Sequence, residues 1–158
     1  MNFLTEHGIS SYGELESKLT AVSARRDTAH AEIKRIESRS AELTLVMKHA
    51  GTYRQLKPIY DRYRKSNDKE KFLRGHESEI ILFEAAAREL KRLGAVPLPT
   101  TESMKTELAN LNAEKERLLA EYKAARTEAQ EYDTVKQNVD ALLTVPKEQE
   151  QQRRYELE

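Results

Sequence analysis

Apolar side chains recur at alternating steps of four and three along two long stretches of this chain, and that spacing limits the fold more than any other feature. Leu15, Leu19, Val22, Arg26, Ala29, Ile33, Ile36, Ser40, Leu43, Met47 and Ala50 form the first series. Met104, Leu108, Leu111, Lys115, Leu118, Tyr122, Ala125, Ala129, Tyr132, Lys136, Val139 and Leu143 form the second. On an α-helix such a series stays on one narrow stripe, which a second helix of the same pattern can cover. The predicted fold is all-α, a long antiparallel helical hairpin of coiled-coil type with a small helical head between its arms.

Composition points the same way. Of 158 residues 38% are hydrophobic and 34% charged, with five Gly and no Trp. A broad core is hard to fill from that supply, whereas a coiled-coil seam asks for only about two positions in seven. An arm of about 36 residues would be a rod of roughly 54 Å.

Local signals set the expected boundaries. Ser11 followed by Glu14 has the spacing of a capping box and starts the first helix near Tyr12. The first arm spans 1–51, with Gly51 as its stop or hinge; the head spans 52–98 and the second arm 99–145. Within the head, 52–66 reads as a short helix carrying Pro58, and a longer helix follows and ends at Gly94. Pro97 and Pro99 force an extended loop after it, and Thr100 or Thr101 caps the last helix. Residues 146–158, which follow Val145 and begin with Pro146, lack an apolar face and are expected to fray or be disordered. The chain opens almost directly into a helical pattern, in keeping with a piece of a larger protein in which Met1 is not the natural start.

An antiparallel register sets Ala50 near Met104, Leu15 near Val139, and the seam residue Arg26 near Glu128 and Glu131. Leu45, Val46, Leu119 and Leu142 fall beside the seams and stay partly uncovered, which suits a homodimer or a partner helix. A long helix of this pattern can also pair with its own copy.

Several chemistries are excluded by what the sequence lacks. Without Cys there is no disulfide, thiolate ligand or thiol nucleophile, as fits a cytoplasmic protein. No apolar run approaches the ~18 residues of a membrane span, so no membrane insertion is expected. His7, His30, His49 and His76 never fall at the i, i+4 spacing of a helical zinc site. Phosphate-cradling glycine loops and nucleophile-elbow motifs are missing as well. The chain as it stands is expected to be no enzyme, with no cofactor and no metal.

The zero net charge hides an uneven distribution. Residues 52–76 carry eight basic side chains against three acidic ones, net +5, while 77–158 are net −5. Tyr53, Arg54, Lys57, Tyr60, Arg62, Tyr63, Arg64, Lys65, Lys69, Lys71 and Arg74 are the candidate DNA-binding residues, combining cations for phosphates with rings on which bases can stack. The alternative is structural: Tyr60 and Tyr63 lie at i, i+3 and can pack the head, and exposed lysines are ordinary helix surface.

Residues 56–91, LKPIYDRYRKSNDKEKFLRGHESEIILFEAAARELK, carry Lys57-Pro-Ile-Tyr-Asp-x-Tyr63, then Lys65-Ser66, Lys69-Glu-Lys-Phe72, His76, Glu79-Ile80 and Glu84-Ala-Ala86. This stretch resembles the C-terminal region of relaxases, the mobilisation nucleases of conjugative plasmids and integrative elements in Gram-positive bacteria. Relaxases nick DNA with a tyrosine and a histidine-held metal in an N-terminal domain, and no such cluster exists in this chain. The resemblance therefore implies a non-catalytic accessory region that contacts DNA, other relaxosome proteins or the coupling protein of the transfer channel. A coiled-coil adaptor or scaffold that binds only proteins is the other reading.

Overall fold

The computed structural model describes residues 3–156, in the order α1 (Phe3–Glu6), α2 (Tyr12–Lys65), α3 (Lys69–Arg92) and α4 (Thr101–Glu156). The described residues are all-α, as the seams predict. Two compact units are formed, one from 1–33 with 116–158 and the other from 34–115.

In the first unit the start of α2 is fixed by its cap. Ser11 Oγ accepts from the Glu14 N–H at 3.2 Å, and the Glu14 carboxylate accepts from the Ser10 N–H at 2.8 Å. This completes the reciprocal pattern of a capping box, displaced by one residue. Ile9, Leu15, Val22, Ala125, Ala129 and Tyr132 form the core, with Leu19 and Val139 packed against it. Leu15 and Val139 share this cluster, as the antiparallel register requires. Tyr12 Oη donates to Asp140 Oδ1 at 2.6 Å, and Arg25 pairs with Glu128 at 3.1 Å, so rising numbers on α2 meet falling numbers on α4. Leu143 is exposed, which ends the seam's packing at Val139.

One register contact differs from expectation. Arg26 pairs with its neighbour Asp27 at 3.1 Å, and Arg25 is the residue that reaches Glu128. Arg26 occupies a seam position, so its long side chain leaves the core to keep the guanidinium solvated. Arg25 projects from the seam's flank, where ion pairs between helices form at little desolvation cost.

In the second unit Ile36, Leu43 and Ala50 of α2 and Met104 and Leu111 of α4 are buried. Arg39 forks onto Glu107, with Nε–Oε1 at 2.8 Å and Nη2–Oε2 at 3.2 Å. Lys115, a charge in the seam, escapes to Glu37 at 3.4 Å. Ser40 Oγ is buried without a hydrogen-bond partner among the described residues.

Gly51 does not stop α2, which continues to Lys65 with Pro58 inside it. The segment 52–66 is thus the end of the first long helix and not a separate one. Glycine costs about 1 kcal/mol in a helix interior, less than the packing of Tyr53 and Tyr60 beyond it supplies. Tyr53 and Tyr60, seven residues apart, both stack on Phe83 and make a second stripe on α2 that meets α3. Val46 is buried, where the seam pattern alone leaves it partly uncovered.

A three-residue turn leads to α3, whose N-cap Asp68 accepts from the Lys71 N–H at 3.1 Å. At His76, just after Gly75, the backbone leaves helical geometry (φ −136°, ψ 24°) and α3 kinks. The helix closes in a Schellman motif, with the Ala95 N–H on Leu90 O at 2.9 Å and the Gly94 N–H on Lys91 O at 3.1 Å. Gly94 takes φ +70°, the left-handed conformation the motif demands. Thr100 caps α4 through Oγ1, which accepts from the Ser103 N–H at 3.1 Å. At its far end α4 passes Pro146 and stays helical to Glu156, where a frayed tail is expected. Proline deletes a single N–H, and the Glu, Gln and Arg that follow are strong helix formers. Met1, and the part of the tail expectation that concerns 157–158, lie outside the described residues.

Candidate nucleic-acid interface

The segment singled out for charge and aromatic content lies wholly in the second unit, on the last turns of α2 and the first turns of α3. Its rings turn inward. Phe83 of α3, 5% exposed, lies between Tyr53, with centroids 4.7 Å apart and planes at 26°, and Tyr60, at 4.3 Å and 23°. Tyr63 leans on Tyr60 at 6.0 Å and on Phe72 at 6.2 Å, and Phe72 meets His76 at 4.5 Å. These contacts favour the structural reading of Tyr60 and Tyr63 and add Tyr53 to it, the three joining α2 to α3 in a continuous series of ring contacts.

The cations divide into two groups. Arg54 is committed to the fold, donating to Thr101 Oγ1 at 2.7 Å and to the carbonyl of Pro99, and so ties α2 to the loop before α4. Lys57 is neutralised by Asp61 one turn on, at 3.0 Å, and the Asp61 contact holds its ammonium above the ordinary lysine range. Arg74, also exposed, donates from Nε to the Glu70 carbonyl at 3.4 Å.

Arg62, Arg64, Lys65, Lys69 and Lys71 are different. All five are exposed, and among the described residues none makes an ion pair. Arg62, Arg64 and Lys65 stand in the last turn of α2, where the helix dipole favours positive charge. Lys69 and Lys71 open α3, where the dipole disfavours it, so helix stability does not account for them. The tight turn brings both helix ends together: the Ser66 N–H donates to Tyr63 O at 3.2 Å, and Ser66 Oγ to Asp68 O at 3.1 Å. Asp68, which caps α3, and Glu70, between the two lysines, leave the turn with five cations against two carboxylates. A shallow hollow beside them is lined by Ser66, Asp68, Lys71, Phe72, Gly75 and His76.

The pairing of Lys57 with Asp61 was visible in the sequence as an i, i+4 spacing. Neither the Arg54 contacts nor the Phe83 sandwich has a local signal, because each joins residues far apart along the chain. Among the described residues no group of three or more His, Cys, Asp or Glu is placed to hold a metal ion. No helix among them is long and apolar enough to cross a membrane.

No protein-family model, curated protein or solved structure matches this chain.

Proposed function

We propose that the chain is a non-catalytic helical module that holds nucleic-acid phosphates at the turn between α2 and α3. The observation that carries this reading is the set of five exposed cations around that turn, which have no ion-pair partner among the described residues and of which two oppose the helix dipole. The resemblance of 56–91 to relaxase C-terminal regions extends the proposal. On that reading the module serves DNA mobilisation in the cytoplasm, beside relaxosome or coupling proteins and as a monomer or homodimer.

A second reading, an adaptor that binds only proteins, is favoured by Ile81 and Leu82 on α3, which are 54% and 55% exposed. One titration separates the two. Fluorescence anisotropy of labelled DNA with wild-type protein and with the triple variant Arg62→Ala, Arg64→Ala, Lys65→Ala should show salt-sensitive binding that the variant loses while its circular dichroism spectrum stays that of the folded protein. Wild-type protein that leaves DNA free at ~50 mM salt would sink the nucleic-acid reading and leave the adaptor.

A further inference from the structure

We infer that the turn between α2 and α3 takes the phosphate backbone of a duplex and stacks no bases, an inference that rests on the nucleic-acid reading proposed above. Proteins that hold single strands pair a cationic groove with rings whose faces are open to bases. In this unit Tyr53, Tyr60 and Tyr63 are each half-buried and in contact with a ring of α3. Phe83 covers one face each of Tyr53 and Tyr60, and Tyr63 touches both Tyr60 and Phe72. Freeing any of them for a base would break the contacts that hold α3 on α2.

What the turn offers to a ligand is charge. Arg62, Arg64 and Lys65 come from one helix end and Lys69 and Lys71 from the next, all exposed. Tyr63 and Phe72, the rings closest to them in sequence, are half-buried against each other. A site in which cations outnumber carboxylates gains most from the denser charge. Duplex DNA presents one phosphate per ~1.7 Å of axis, about twice the density along one strand. The site should thus prefer a duplex and be indifferent to its sequence.

The test uses the whole chain and two labelled probes, a mixed-sequence duplex of ~20 base pairs and one of its strands, titrated at ~50 and ~200 mM salt. Tighter binding of the duplex is expected, with a log–log salt slope no steeper than about −4.5 for five phosphate contacts, a loss of at most about 500-fold between the two salts. Tyr63→Leu, which keeps an apolar side chain against Phe72, should leave duplex affinity within about twofold, since no ring is in contact with a base. Preference for the single strand would overturn the duplex inference and spare the nucleic-acid reading, as would a tenfold loss of binding in Tyr63→Leu. Absence of binding to both probes at the lower salt would overturn both. Should Tyr63→Leu fail to fold, the wild-type comparison of the two probes decides by itself.

Discussion

Phe83 shows how much a single side chain holds in this molecule. Its ring is covered on both faces by tyrosines of α2, so truncation removes two stacked contacts as well as buried area. Phe83→Ala should lower stability by roughly 3–5 kcal/mol, read as a drop in the midpoint of a denaturant melt followed by circular dichroism. Tyr12 gives a prediction of another kind. Its hydroxyl donates to Asp140, and that hydrogen bond to a carboxylate, with minor help from burial and nearby charge, pushes its pKa up to about 12. A folded pKa above the unfolded value means that the folded state holds the proton more tightly. The contribution is therefore complete below about pH 10 and is lost as pH rises from there to about 12. Thermal midpoints of Tyr12→Phe and wild type should differ at pH 9 and converge toward pH 12. A constant difference across that range would show that the Asp140 contact is not responsible.

At the scale of elements, α2 is a helix whose local and tertiary preferences disagree. Gly51 lies in its interior and is exposed, and a methyl group added there would meet nothing within 4 Å. Gly51→Ala should therefore stabilise the protein by about 1 kcal/mol, measured by chemical denaturation. A loss of stability instead would mean that α2 needs to bend at that point. The seams make the opposite prediction. Ile33 and Leu118 are both buried in the first unit, so Ile33→Asp or Leu118→Asp places an unpaired carboxylate in an apolar stripe. Each should cost on the order of 4 kcal/mol. An unchanged helical melting curve for either variant would refute the seam assignment.

For the molecule as a whole, a net charge of zero means that attraction to a polyanion has to be local. Neutralising Lys18, Lys123 and Arg126 in the first unit removes as much charge as the triple variant at the turn. Those three substitutions should leave DNA affinity near the wild-type value, whereas Arg62, Arg64 and Lys65 together should account for most of it. Equal losses in the two variants, measured by the same anisotropy titration, would point to diffuse attraction and argue against a site.

What the sequence determined by itself was the class of structure, the seam positions along each long helix and the caps at Ser11 and Gly94. All of these follow from short-range rules: the period of a helix, the reach of a serine hydroxyl to the N–H three residues on, the left-handed backbone that glycine accepts. The place of the excess charge was legible too, since charge can be counted along a chain. The tertiary structure alone decided which candidates remain open to a ligand. Tyr53, Tyr60 and Arg54 share a helix with Arg62 and Arg64 and look equivalent in sequence. Phe83 and the loop before α4 reach the first three and not the others. Those partners lie far away in sequence, and their approach depends on α2 running on through Gly51, which local propensity opposes and packing against α3 outweighs.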